Sequence, residues 1–298
     1  MNTRHEISII LPYFGKMPEL SSLFFFSCRY NPNLFFLLFT DQEQPPDLPA
    51  NVEFHSMRLQ ELNQLVTKKL GAKITLVYSY KLCDLKPMYG KIFEDYLKES
   101  KFWGYCDLDM IFGNSTQFLT PFLLNSYEII SARKDSLAGN FTLYKNTERT
   151  TGLFLFSDCW EQIARDRWRV YSFPERFKPK GKYVSHNLFY QFAQLFHSPR
   201  FSNILMPDMN TIVRSQKDLK VHYGNFMLSD MILRNSGIFN WEVNWEDGKL
   251  TERNSKKDLL YFHFYFLKNK ASYSVPKLNG PKPVKSISIT PTSIRMLY

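Results

Sequence analysis

Apolar runs and amphipathic segments alternate over the first seventy residues. Residues 6–12 and 33–40 are almost continuously apolar, which is typical of parallel strands covered on both faces, and residues 52–57 predict a third short strand. Residues 18–30 and 59–70 carry apolar side chains at helical spacing. The order strand, helix, strand, strand, helix is typical of a doubly wound α/β half-domain and predicts an α/β fold.

The pattern becomes weaker further along the chain. It predicts helices over 87–98, from 114 to about 124, over 151–159 and over 185–196, and strands over 102–106, 127–132 and 258–266. Residues 201–257 are irregular, with short strands expected near Ile204 and Ile238. From residue 271 the chain is basic and rich in Pro, Ser and Thr, which predicts a tail that wraps the surface or is disordered.

Composition restricts the possible partners. The 298 residues are 44% hydrophobic and carry a net charge of +10, which favours anionic partners such as nucleotide diphosphates or an anionic membrane surface. The sequence has no nucleic-acid-binding motif, so no nucleic acid is expected. Its four cysteines are scattered without a CxxC pair, which indicates reduced thiols and no zinc site. No apolar run approaches spanning length, so we expect a cytoplasmic protein, with peripheral attachment to the inner membrane face as an option.

Two acids follow the apolar strand at 102–106. Asp107 and Asp109 are spaced one residue apart, so in an extended chain their carboxylates lie on the same side. Ligands of open α/β sheets bind at strand ends, and Mg²⁺ or Mn²⁺ prefers oxygen ligands of this kind. The pair therefore predicts a divalent metal site.

Together these features resemble the metal-dependent nucleotide-sugar glycosyltransferases with the GT-A fold, of the kind that assembles bacterial polysaccharide and lipopolysaccharide. Asp107 and Asp109 match the Asp-X-Asp motif of that family, and His263 followed by Lys268 is similar to a late His and Lys of its retaining members. The resemblance implies an α/β fold with a mixed, mainly parallel sheet flanked by helices and an irregular C-terminal part. It further implies a Mn²⁺ or Mg²⁺ cofactor. It also implies transfer of a hexose from a UDP-sugar to a hydroxyl of a growing surface glycan, free or lipid-linked, with retention favoured.

The resemblance also implies the parts of the site. Residues 1–145 would form the nucleotide-sugar-binding half and 146–270 the acceptor-binding half of one catalytic domain, before the tail at 271–298. The implied metal ligands are Asp107, Asp109 and His263. The implied donor-binding residues are Pro12, Tyr13, Phe14, Asp41, Asp84, Lys86, Asp107 and Lys268.

The acceptor side is less defined by the sequence. The expected acceptor-binding residues are Gly139, Asn140, His186, Trp241 and Trp245, of which the two tryptophans could stack a sugar ring or pack in the core. An inverting enzyme needs a base near the acceptor hydroxyl, and the candidates are Asp208, Asp230 and Glu242.

Three features leave alternatives open. His263 lies in an aromatic strand, where a core histidine with a backbone partner is as common as a metal ligand. Ser185-His186 stands where many GT-A enzymes have an acidic pair, so the stereochemical course stays undecided. The rival functions are a sugar-phosphate nucleotidyltransferase and a non-catalytic carbohydrate-binding protein. A nucleotidyltransferase normally has a glycine-rich, basic loop after the first strand, whereas this sequence has the single glycine Gly15 there, which argues against that rival.

Overall fold

The computed structural model describes residues 6–71, 76, 79–157, 160–165, 170–172, 183–185, 205–269, 273, 275 and 283–298. The strands are β1 Ile7–Pro12, β2 Leu34–Thr40, β3 Val52–Ser56, β4 Phe102–Cys106, β5 Met110–Phe112, β6 Ile129–Ser131, β7 Phe141–Lys145, β8 Val170–Ser172, β9 Tyr183–Ser185, β10 Val221–Tyr223, β11 Met227–Ser229, β12 Val243–Glu246, β13 Lys249–Glu252, β14 Lys257–Asp258, β15 Tyr261–His263, β16 Ser286–Ile289 and β17 Ile294–Leu297. The α-helices are α1 Ser21–Cys28, α2 Leu59–Leu70, α3 Leu82–Leu85, α4 Tyr89–Ile92, α5 Pro121–Ser126, α6 Glu148–Thr151, α7 Trp160–Arg165, α8 Leu205–Ser215 and α9 Asp230–Asn235. Single 3-10 turns occupy Ser79–Lys81, Lys86–Met88, Glu94–Tyr96, Ser115–Gln117, Leu153–Phe156 and Leu267–Asn269.

A seven-stranded sheet in the order β10-β6-β7-β4-β1-β2-β3 forms the centre of the molecule. Six strands run in one direction, and β7 runs against both of its neighbours, β4 and β6. The predicted α/β class with a mixed, mainly parallel sheet is confirmed. Its central strand β4 is buried along its whole length and ends directly before Asp107.

The sheet is covered on both faces, as its continuous apolar strands predict. Alternate side chains of β1 enter different core clusters: Ile10 packs with α2 and α4, whereas Ile9 packs with α1. Helix α1 is predicted to bury one face, but seven of its eight residues are buried. The reason is that its other side, including Leu23, packs against a third cluster formed by the C-terminal strands.

Two smaller sheets adjoin this centre. Strand β5 is separated from β4 by three residues and pairs antiparallel with β15. Strand β15 in turn pairs parallel with β11. Strands β14-β13-β12-β16-β17 form an antiparallel sheet whose inner side chains include Trp245 and Ile287, both fully buried. Because β10 and β15 pair with strands from the first 145 residues, the two predicted halves share their sheets.

The prediction of an irregular tail is wrong for residues 283–298. Strands β16 and β17 complete the five-stranded sheet, with Ile287 and Ile289 fully buried. The physical reason is the alternation of Ser286, Ile287, Ser288 and Ile289, which gives a strand one apolar face despite its polar composition.

Other predicted elements differ in extent. The helix expected over 87–98 is three short turns, and Gly90 packs so closely on the Trp103 indole that a Cβ there would lie 2.4 Å from Cε2. Residues 201–257 contain helices α8 and α9, and Ile238 lies outside any strand. Most of the helix predicted over 185–196 lies outside the described residues. Within the described part of the chain, no helix has the length and apolar character needed to cross a membrane.

Candidate functional site

The acidic pair lies where the chain crosses from one sheet to another. Strand β4 ends at Cys106 in the seven-stranded sheet, and β5 begins at Met110 in the three-stranded sheet. Asp107, Leu108 and Asp109 form this crossing, so both carboxylates lie at the carboxyl end of a central strand. The side chain of Asp109 is 8% exposed and that of Asp107 is 29% exposed. One acid is therefore almost buried, while the other partly faces solvent.

Strand β15 brings His263 to this pair. It runs antiparallel to β5 with His263 opposite Met110, and the Phe264 N–H donates to the Asp109 carbonyl at 2.9 Å. His263 Nε2 lies 3.3 Å from Asp109 Oδ1 and 3.7 Å from Asp107 Oδ2. One ligand atom from each of the three residues lies within 4.8 Å of the others. We call these residues the Asp–Asp–His cluster.

The chemistry of the Asp–Asp–His cluster fits a divalent metal. His263 is 6% exposed, and its Nε2 makes no hydrogen bond of acceptable geometry with any described residue, although it faces two carboxylates. A buried polar atom without a hydrogen bond costs free energy unless something else binds it. Two carboxylates and an imidazole make a donor set that Mn²⁺ or Mg²⁺ accepts. The cluster could thus hold a metal ion.

Two lysines adjoin the same carboxylates. Lys86 Nζ lies 2.5 Å from Asp107 Oδ1 and donates to the Gly139 carbonyl at 2.7 Å. Lys268 Nζ lies 2.5 Å from Asp109 Oδ2. Each acid therefore has one oxygen toward a lysine and the other toward His263.

These contacts shift two pKa values. Burial alone would raise the pKa of Asp109, but His263 and Lys268 outweigh burial and hold that pKa well below its usual range. Burial alone would lower the pKa of the Lys86 ammonium, but the Asp107 carboxylate outweighs it and raises that pKa above its usual value. Both groups are therefore charged at neutral pH.

A cavity of about 600 Å³ contains the Asp–Asp–His cluster. Ten of the predicted site residues line this cavity: Pro12, Tyr13, Phe14, Lys86, Asp107, Asp109, Gly139, Asn140, His263 and Lys268. Tyr13 follows β1 and is half-buried; burial first and then the Asp109 charge raise the pKa of its hydroxyl. Strand ends thus place an aromatic ring and two acids on one cavity, and two 3-10 turns each place a lysine beside the acids.

Two acids predicted to bind the donor have other roles in the structure. Asp41 accepts the Gly15 N–H at 2.8 Å and fixes the loop after β1 from outside the cavity. Asp84 is fully buried and pairs with Lys81 at 2.9 Å, so it cannot contact a donor in this conformation. The prediction that these two acids touch the donor is therefore not supported by their positions.

The predicted acceptor and base residues differ most from their expected positions. Trp241 and Trp245 are buried in the third core cluster and present no ring to the cavity, which corrects their assignment as sugar-stacking residues. Glu242 contacts Arg253 and accepts the Ser288 hydroxyl, away from the cavity lining. His186 and the side chain of Asp208 lie outside the described residues.

Asp230 is engaged by the backbone. Its carboxylate accepts the N–H groups of Tyr265, Phe266 and Leu267 at 2.7, 2.8 and 2.7 Å. Both of its oxygens accept from this turn, and Asp230 is not among the residues that line the cavity, so it shapes the segment between His263 and Lys268.

Several cavity residues escape the sequence analysis: Cys83, Arg133, Ser229, Met231, Ile232 and Tyr265. For two of these residues the sequence contains a signal that could have indicated a position in the site. Arg133 follows the strand predicted over 127–132, and strand ends are where ligands bind. Tyr265 is two residues from His263, at the spacing that places side chains on one side of an extended chain.

Comparison with known proteins gives the following findings. The structure aligns with mouse xyloside xylosyltransferase 1 at 11% identity and a TM-score of 0.43, covering 89% of this chain and 99% of that one. It aligns with a glycosyltransferase involved in the glycosylation of the major capsid of PBCV-1 at 9% identity and a TM-score of 0.38, covering 87% of this chain and 93% of that one. No curated protein sequence matches.

A family model matches almost the whole chain, over residues 9–297. The matched range includes every residue of the Asp–Asp–His cluster and the strands that position it. The protein therefore belongs to the family of unknown function DUF6625.

Proposed function

We propose that the protein is a metal-dependent glycosyltransferase that moves a hexose from a UDP-sugar to a hydroxyl of a growing surface glycan. The observation that carries the proposal is the convergence of Asp107, Asp109 and His263 with Lys86 and Lys268 on one cavity. A nucleotide-sugar diphosphate needs a divalent cation and basic groups, and this cavity offers residues for both.

The residues divide into metal-binding and phosphate-binding groups. The Asp–Asp–His cluster would hold Mn²⁺ or Mg²⁺. When bound, the metal supplies a Lewis acid that neutralises the charge developing on the leaving diphosphate. Lys86 and Lys268, now paired with the acids, would donate to the phosphates. Tyr13, directly after β1, would contact the uridine.

The stereochemical course proposed is retention. Among the described residues that line the cavity, the carboxylates are Asp107 and Asp109, and both serve the metal site. Inversion needs a protein base within hydrogen-bond reach of the acceptor hydroxyl. The roles of Asp230 and Glu242 in the structure remove two of the three candidates, which supports a course without a separate base.

The acceptor would occupy the side of the cavity formed by Gly139, Asn140 and Tyr265, with Arg133 at its edge. The net charge of +10 supports a further proposal, attachment to an anionic inner membrane face where a lipid-linked glycan would be met. Sedimentation with anionic liposomes at low salt, reversed by high salt, is the expected behaviour; absence of binding at both salt concentrations contradicts it.

A donor panel tests the proposed reaction. Several UDP-sugars are incubated with protein and Mn²⁺, and release of UDP is followed with and without EDTA. We expect metal-dependent release of UDP from one of the donors. We also expect NMR to show that the product has the same anomeric configuration as the donor sugar. Pyrophosphate release in a reaction with a sugar phosphate would identify a nucleotidyltransferase, and glycan binding without turnover of any donor would identify a carbohydrate-binding protein.

A further inference from the structure

Asn140 links two side chains of strand β15. The Tyr261 hydroxyl donates to Asn140 Oδ1 at 2.9 Å, and Asn140 Nδ2 lies 3.0 Å from His263 Nδ1. Tyr261 and His263 are two residues apart on a strand, so their side chains lie on the same side. The Tyr261 ring is fully buried, and His263 is 6% exposed. The amide is therefore held between two fixed rings.

The orientation of this amide determines the histidine tautomer. An amide nitrogen only donates, so with Nδ2 toward the ring, Nδ1 must accept, and the proton of a neutral imidazole is on Nε2. A ring nitrogen that carries a proton cannot bind a metal. A metal at Nε2 therefore requires the proton at Nδ1, together with a group there that accepts it.

Rotating the Asn140 amide by half a turn provides that group. Oδ1 then accepts the Nδ1–H of His263, and Nδ2 donates to the Tyr261 hydroxyl oxygen, because a hydroxyl both donates and accepts. The oxygen and nitrogen of an amide have nearly the same size, so the rotation keeps both contacts. Neither hydrogen bond is lost in either orientation.

We propose that Asn140, anchored by Tyr261, is the positioning residue that fixes which nitrogen of His263 carries the proton, and that its Oδ1 faces Nδ1 when a divalent metal binds Nε2. One proton leaves Nε2 for solvent and one is taken up from solvent at Nδ1, so the imidazole stays neutral. This inference rests on the metal site of the proposed function. It gives Asn140 a role on the metal side of the cavity in addition to any contact with an acceptor.

Three variants separate the possible roles of the amide. In Asn140→Asp the carboxylate can only accept, so it favours Nδ1–H, and we expect Mn²⁺ affinity equal to or above that of the wild type. Asn140→Leu keeps a similar volume without polar atoms, and we expect Mn²⁺ binding about 10- to 100-fold weaker. Tyr261→Phe removes only the anchor and is expected to lose less than Asn140→Leu. Asn235→Leu, an exposed position outside the cavity lining, is the matched control.

Binding is measured by electron paramagnetic resonance of free Mn²⁺, with pulsed measurements of the coupling to histidine nitrogen. Long-range ¹⁵N–¹H NMR of the Mg²⁺-saturated protein, assigned by comparison with His263→Ala, reports the tautomer. In the Mg²⁺-saturated wild type we expect the His263 proton on Nδ1. In Asn140→Leu we expect loss of the coupling between Mn²⁺ and the histidine nitrogen. If that variant does not fold, Asn140→Asp carries the test, and a Mn²⁺ affinity of Asn140→Asp below that of the wild type would overturn the inference.

The inference would be overturned if Asn140→Leu bound Mn²⁺ with wild-type affinity and kept the coupling to the histidine nitrogen. A His263 proton on Nε2 in the Mg²⁺-saturated wild type would also overturn it. An Asn140→Asp variant that loses as much affinity as Asn140→Leu would also overturn it. In each of these results the wild type still binds metal, so the proposed function stands. A wild type that binds no Mn²⁺ overturns the metal site itself, and the proposed function with it.

Discussion

Lys268 Nζ lies 2.5 Å from Asp109 Oδ2, although the two residues are 159 positions apart in the sequence. This contact joins the late segment of the chain to the end of the central strand. It depends on the turn that Asp230 holds at residues 265–267. The ammonium thereby neutralises an almost buried acid. In the proposed reaction the same ammonium would also donate to the diphosphate.

The variant Lys268→Met separates these two interactions of the lysine. Loss of a charge-assisted contact to phosphate is expected to weaken UDP binding in the presence of Mn²⁺ by about 10- to 100-fold. Mn²⁺ binding without UDP is expected to be unchanged or tighter, because the competing ammonium is gone. Isothermal titration measures both constants. Lys91→Met, which removes a lysine paired with Glu94 outside the cavity, is the control, and an equal loss in both variants would contradict the assignment.

The variant Asp230→Asn tests whether this acid serves the fold or the chemistry. Its carboxylate accepts three backbone N–H groups, so the amide is expected to lower the free energy of unfolding by about 2–3 kcal/mol in denaturant titrations. Glu99→Gln, an exposed acid-to-amide change, should leave stability unchanged. Loss of turnover at unchanged stability would instead support Asp230 as the catalytic base.

Gly113 tests the close approach of β5 to the C-terminal sheet. A Cβ at this position would lie 2.3 Å from the Leu259 carbonyl oxygen and 2.8 Å from the Leu250 Cβ. Gly113→Ala is therefore expected to destabilise the protein by about 1–3 kcal/mol in thermal or denaturant unfolding. Gly139→Ala is the control, since no heavy atom lies within 4 Å of its Cβ, and a change of less than about 0.5 kcal/mol is expected. Equal stability of the two variants would contradict the packing of the two sheets.

The depressed pKa of Asp109 predicts an acid-dependent contribution to stability. Its folded pKa lies below the unfolded value of about 3.9, so its contribution is fully present above that value and is lost as the pH falls through the folded pKa. The stability difference between wild type and Asp109→Asn, measured in EDTA, should therefore be constant near neutral pH and shrink below about pH 4. A difference that grows on acidification would have the wrong sign.

The sequence predicts the parts of the site that depend on strand ends. Asp107 and Asp109 follow a continuous apolar strand, so the pattern places both at a strand end, where ligands bind. His263 lies in the middle of the strand predicted over 258–266, and its role beside the two acids is implied by the resemblance and not by the pattern. Asp84 shows what such patterns miss: nothing in the local sequence indicates that it turns inward to pair with Lys81. Its environment depends on long-range packing.

Two predictions that rest on composition differ from the structure: Trp245 as a sugar-stacking residue and the C-terminal segment as a tail. Trp245 could stack a sugar or fill a core, and only the strand pairing of β12 with β16 decides for the core. The C-terminal segment has the composition of a tail, but the alternation at residues 286–289 is the stronger signal because it provides an apolar face to bury.

Titration of the protein with Mn²⁺ in the presence of UDP, followed by electron paramagnetic resonance, tests the central claim most directly. The wild type is compared with the double variant Asp107→Asn/Asp109→Asn and with Glu43→Gln/Glu99→Gln, which removes two negative charges from exposed positions. We predict one bound Mn²⁺ in the wild type and the control, and binding weaker by more than about 100-fold in the cluster variant, because it loses both anionic ligands. Equal Mn²⁺ affinity in all three proteins would contradict the account.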